Sequence, residues 1–133
     1  GDYADLLGRR LEQHETRVFL VNTGWSGGPY GIGERMDINL TRAMVRAALS
    51  GDLEDVEYEA DPVFHVDVPG SCPGVPTEIL KPVNTWEDRD AYMRNAANLT
   101  GEFREYFDRE FRGKVPEKIA AQCPTPPVGA GAS

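Results

Sequence analysis

A mixed α/β fold is what this sequence predicts, and three features predict it. Segments of helical periodicity are interleaved with short β-branched runs along the chain. One such run, Val18, Phe19, Leu20 and Val21, is continuously apolar, the pattern of a central strand buried on both faces. Near the C-terminus, Tyr92, Ala96, Leu99, Phe103, Tyr106 and Phe111 recur at helical spacings, so residues 86–111 read as one long helix with a wide aromatic stripe.

The remaining elements follow in order. Residues 3–14 read as an amphipathic helix with Tyr3, Leu6, Leu7 and Leu11 on one stripe. After the apolar run, residues 24–33 hold five glycines and a proline, a density that excludes helix or regular strand there. Residues 40–50 read as a helix with Asn39 as N-cap and Gly51 as its stop. Residues 56–58 and 63–68 read as short strands separated by Asp61 and Pro62. Residues 69–76, with three prolines and two glycines, form a loop. Thr85 followed by Asp88 resembles a capping box that opens the long helix, and Gly101 is a place for it to bend. The expected organisation is one partial domain over 1–123 and a disordered Pro/Gly/Ala tail over 124–133.

Composition narrows the function classes. With 40% hydrophobic and 27% charged residues, the chain is neither disordered nor membrane-embedded in character, and no apolar run is long enough to span a bilayer. Its 22 acidic against 14 basic residues leave a net charge of −8 without a basic block, which disfavours a nucleic-acid partner. Cys72 and Cys123 are far apart in sequence and read as free thiols of a reducing compartment. The chain opens at Gly1 with no signal-peptide pattern, which suggests a processed start or a piece of something longer.

A glycine-rich segment between a buried strand and a helix is where α/β folds commonly place ligands. The spacing is not that of a phosphate loop, because Gly28 to Gly33 is followed by Glu34 and Arg35 where a lysine and a hydroxyl residue are needed. Structural punctuation is the competing reading of the glycines. Arg35 offers a planar guanidinium that can stack on a purine or fork to an anion, and Thr41 offers a hydroxyl at a helix start, although capping or surface solvation is its default reading. His65 and Asp67 alternate on an expected strand but are too few for a metal site. Ser26 lacks the context of a nucleophile elbow.

One ordered set of motifs is more specific. Leu20 through Trp25 with Gly27 and Gly28, then Gly33 through Met36, then Thr41, Arg42 and Ala43, form its first half. Cys72 through Pro76, then Leu80, Lys81 and Pro82, then Thr85 and Trp86, complete it. This set resembles the carboxyl-terminal region of ATP-dependent phosphoenolpyruvate carboxykinases, in order from about Tyr3 to Phe111. The resemblance implies part of a carboxyl-terminal nucleotide-binding domain in an enzyme that converts oxaloacetate and ATP to phosphoenolpyruvate, carbon dioxide and ADP. It implies a cytoplasmic protein serving gluconeogenesis, with a divalent metal, Mg or Mn, neutralising the phosphates. In that family the phosphate loop, metal ligands and oxaloacetate-binding arginines lie upstream, so no catalytic or metal-binding residue is expected in this chain, and the missing upstream part is its expected partner. Arg35, Met36 and Thr41 match the family's adenine-pocket residues, with Arg35 against base and ribose, Met36 as an apolar wall and Thr41 hydrogen-bonding nearby. The alternative is a non-catalytic nucleotide-binding or protein-interaction domain.

Overall fold

A computed structural model of the chain describes residues 2–128. It shows helices joined by two small antiparallel hairpins, a mixed helix-and-sheet arrangement. In chain order these are α1 (Asp2–Gln13), β1 (Trp25–Ser26), β2 (Glu34–Arg35), α2 (Ile38–Ser50), β3 (Tyr58–Ala60) and β4 (Asp67–Pro69). A short α3 (Thr77–Leu80) and a 3-10 turn (Pro82–Asn84) lead into α4 (Arg89–Glu110), and α5 (Glu117–Ala120) follows.

The expected central strand is not formed. Residues 16–23 carry no regular structure, and Val18 and Leu20 are 64% and 85% exposed. A strand buried on both faces needs ladder partners on its edges and cover above and below. Here β1 pairs only with β2 and β3 only with β4, and among the described residues no strand pairs with residues 18–21. Two strand boundaries also differ from expectation. Residues 63–66 lie in the turn between β3 and β4, because Asp61 Oδ1 accepts from the amides of Val63 and Phe64 at 2.9 and 2.7 Å. His65 thus sits in a turn with φ of 56°, not on a strand beside Asp67.

Apolar burial is split between two small clusters. Ala47 of α2 packs with Leu53, Cys72 and Val75, bordered by Met44, Ile79 and Leu80. The proline-rich segment is therefore ordered, closed by a bridge between Cys72 and Val75. Burial, with the nearby Asp52 carboxylate second, pushes the Cys72 thiol above its ordinary value and keeps it protonated. In the second cluster Tyr92 and Ala96 of α4 pack on Val63, with Phe64, Val83 and Trp86 around them. The aromatic stripe is buried only at this end, since Phe103 and Tyr106 are 48% and 52% exposed. Helix α4 runs through Gly101 without interruption.

The caps explain two boundary shifts. Asp37, not Asn39, caps α2, its Oδ1 accepting from the Asn39 amide at 2.7 Å, and Gly51 ends the helix with φ of 88°. Asp88, not Thr85, caps α4 by accepting from the amides of Asp90 and Ala91 at 2.9 and 3.0 Å. At the other end, the tail is docked at its start. The Thr125 amide donates to Val63 O at 2.9 Å, His65 Nε2 lies 3.0 Å from Thr125 Oγ1, and Pro127 is buried. Of the expected tail over 124–133, residues 129–133 lie outside the described residues.

The Asp88 cap yields a pH-dependent prediction. Its carboxyl is held below the ordinary value, first by the Ala91 amide, with the Asp90 amide and Arg94 adding to this against some desolvation. A depressed carboxylate stabilises the fold above its unfolded pKa of about 3.9, and that contribution is lost as pH falls through the folded value. Asp88→Ala should therefore lower the thermal midpoint near neutrality, with the gap from the parent closing in acid. A gap that is unchanged from neutral pH down to acid would contradict the charged cap.

Candidate functional site

The site is built on the turn between β1 and β2. Trp25 pairs with Arg35 and Ser26 with Glu34, and Met36 N–H donates to Gly24 O at 2.8 Å to close the base of the hairpin. Asn22 braces the entry, since its Oδ1 accepts from the Gly24 amide at 2.9 Å and its Nδ2 donates to Trp25 O at 3.1 Å. At the tip, Pro29 O accepts from the amides of Ile32 and Gly33 at 3.0 and 2.9 Å. The glycine-rich segment therefore includes short strands, contrary to the expectation that its composition excludes them. Glycine is required because two backbone stretches touch: a Cβ on Gly33 would lie 2.5 Å from both Gly28 O and Ser26 O.

This geometry determines where Arg35, Met36 and Thr41 fall. Arg35 lies on β2 directly opposite Trp25, which puts both side chains on the same face of the hairpin. Met36 follows immediately and is half-buried. Asp37 then caps α2, whose first turn carries Thr41, with the Thr41 amide donating to Asp37 O at 3.1 Å. Two residues, Met36 and Asp37, thus join the end of β2 to the start of α2.

An open groove of about 1000 Å³ runs beside the hairpin. It is lined by Trp25, Ser26 and Met36, by Met44 of α2, by Thr85 and Trp86, and by residues 17–22. Of the three sequence-predicted site residues only Met36 lines this groove, whereas Arg35 is exposed beside it and Thr41 is half-buried on α2. Sequence reasoning missed Trp25 and Thr85 as parts of the site. Trp25 stood only within a motif, and its pairing with Arg35 depends on hairpin register; Thr85 was read as a helix cap. Among the described residues no three His, Cys, Asp or Glu side chains converge to hold a metal ion. Among them, too, no helix is long and apolar enough to cross a membrane.

Comparison with known proteins agrees with the motifs. The family model described as phosphoenolpyruvate carboxykinase matches residues 1–78, which include the hairpin and α2. Among similar proteins, a phosphoenolpyruvate carboxykinase (ATP) of Caldanaerobacter subterraneus is 54% identical over 107 residues, 80% of this chain and 20% of that protein. Phosphoenolpyruvate carboxykinase (ATP) 2 of Moorella thermoacetica is 57% identical over 122 residues, covering 92% of this chain and 23% of the relative. The phosphoenolpyruvate carboxykinase (ATP) of Fusobacterium nucleatum is 48% identical over the same length, with the same coverage. The chain belongs to the ATP-dependent phosphoenolpyruvate carboxykinase family. It spans about a fifth of the length of these relatives.

The close backbone approach in the hairpin is directly testable. Gly33→Ala forces a methyl group against two carbonyl oxygens that cannot swing aside, at a cost of about 1–3 kcal/mol. A lowered thermal midpoint is the expected result. A midpoint equal to the parent's would mean that the two strands do not close as described.

Proposed function

We propose that this chain is the carboxyl-terminal part of an enzyme that converts oxaloacetate and ATP to phosphoenolpyruvate, carbon dioxide and ADP, and that it supplies the adenine side of the ATP pocket. The observation that carries the reading is the family match over residues 1–78, which include Arg35, Met36 and Thr41. The short link from β2 to α2 supports it, because it keeps the three residues within one compact stretch of chain. We further read the full-length protein as a cytoplasmic enzyme of gluconeogenesis, on the family resemblance alone.

In this reading the guanidinium of Arg35 lies flat against the purine and ribose, a contact its planarity suits. Met36 gives an apolar wall that adapts to the ring. The Thr41 hydroxyl forms one neutral hydrogen bond to the nucleoside. The divalent cation that would neutralise the transferring phosphoryl group is assigned to residues outside this chain, on the family resemblance alone. The contribution of these 133 residues is then to bind and orient the base.

Two measurements test the proposal. The purified 133-residue chain should form no phosphoenolpyruvate from oxaloacetate and ATP, and turnover above background would sink the assignment of catalysis to the remainder of the protein. In the full-length enzyme, Arg35→Ala should weaken ATP binding by about 1–2 kcal/mol and Thr41→Val by about 0.5–1.5 kcal/mol. Nucleotide titration reads both. Parent-like affinity in both variants would remove the adenine assignment.

A further inference from the structure

The hairpin that carries Arg35 and Met36 is short, and two paired residues on each strand do not hold a ligand-binding edge in place by themselves. Something must dock it on the rest of the fold. Among the described residues, one hydrogen bond links the hairpin to any part of the chain beyond α2. The Gly27 amide donates to Thr85 Oγ1 at 3.1 Å, across 58 residues of sequence. The same hydroxyl donates its proton to Pro82 O at 2.8 Å. That second bond orients the hydroxyl, so its lone pairs face Gly27 and its proton does not compete for the direction. Gly27 has φ of +77°, and a Cβ there would lie 3.1 Å from Thr85 O, so the two backbones meet closely at this point.

We propose that Thr85 is a positioning residue for the nucleotide pocket, its hydroxyl fixing the hairpin against the 3-10 turn so that Arg35 and Met36 are held in register. The inference rests on the adenine reading above. Thr85 itself lines the groove with Trp86, and Trp86 is locked edge-on to Tyr92 of α4 with ring centroids 5.6 Å apart. The anchor is therefore next to Trp86, which packs on the end of α4 where Tyr92 and Ala96 meet Val63. Loss of the hydroxyl leaves the Gly27 amide without its partner and frees the hairpin to move, while the side-chain volume at position 85 is kept by valine.

The experiment compares Thr85→Val and Thr85→Ser in the full-length enzyme, with Arg35→Ala alongside. Thr85→Val should raise the KM and Kd for ATP about three- to tenfold, leaving kcat and the KM for oxaloacetate near the parent values. Thr85→Ser keeps the hydroxyl and should restore ATP affinity. Hydrogen exchange over residues 25–33 supplies a readout independent of activity, with faster exchange expected in Thr85→Val and parent-like exchange in Thr85→Ser. If Arg35→Ala weakens ATP binding but Thr85→Val does not, the positioning role is overturned and the adenine pocket stands. If Arg35→Ala has no effect on ATP, the pocket reading falls and this inference with it. Equal losses for valine and serine, or a fall in kcat without a change in ATP affinity, also overturn it.

Discussion

The candidate site depends on how closely two stretches of backbone approach one another in the hairpin tip. Gly33 packs against the carbonyls of Gly28 and Ser26 at distances that no side chain would permit. Because the tip closes, Met36 N–H reaches Gly24 O and the register places Trp25 opposite Arg35. Because the base closes, β2 ends at Arg35 and Asp37 is free to cap α2 only two residues later. Apart from the Asp37 side-chain cap, each step is a backbone hydrogen bond or a missing Cβ, so the side chains of the site are placed by a loop that contributes little chemistry of its own.

The rest of the chain shows the consequence of a small apolar supply divided in two. One cluster forms where α2 meets the Cys72–Val75 bridge, the other where α4 meets the turn after β3. Neither reaches residues 18–21 or the exposed Phe103 and Tyr106. Val18, Phe19 and Leu20 instead line the open groove that also contains Met36 and Trp86. Apolar surface left exposed there forgoes about 25 cal/mol per Å² of burial, so a cover over the groove would stabilise the fold.

What could be read from the sequence was the local periodicity. The amphipathic pattern located α1, α2 and α4 to within a few residues, and Gly51 marked the end of α2 as its left-handed φ requires. What could not be read were pairings set by contacts distant in sequence. Val18 to Val21 has every intrinsic property of a central strand, but a strand is defined by neighbours, and neither hairpin pairs with it. His65 and Asp67 alternate as strand residues do, yet Asp61 captures the amides of Val63 and Phe64 and turns the chain before the alternation begins. The site was legible to the same degree. Arg35, Met36 and Thr41 stood out through a resemblance, whereas Trp25 depends on cross-strand register and Thr85 on a contact made across most of the chain.

Thr85 and Asp88 show how a local rule fails and what the failure accomplishes. Both are good N-cap residues, and a threonine followed three positions later by an acidic residue invites the first as the cap. Asp88 is the better choice on electrostatic grounds, since a carboxylate interacts with the helix dipole and accepts two amides where a hydroxyl competes for one. With α4 starting at Arg89, residues 82–84 form a separate 3-10 turn, and Pro82 O is left pointing at Thr85 rather than into a longer helix. The threonine hydroxyl is then available to a donor from elsewhere in the chain, and Gly27 supplies it. Had Thr85 capped the helix, its oxygen would have been spent on the first turn of α4 and the hairpin would have had no hydrogen-bonded anchor beyond α2 among the described residues. The choice of cap at one end of α4 thus decides whether the loop that carries Arg35 and Met36 is tethered.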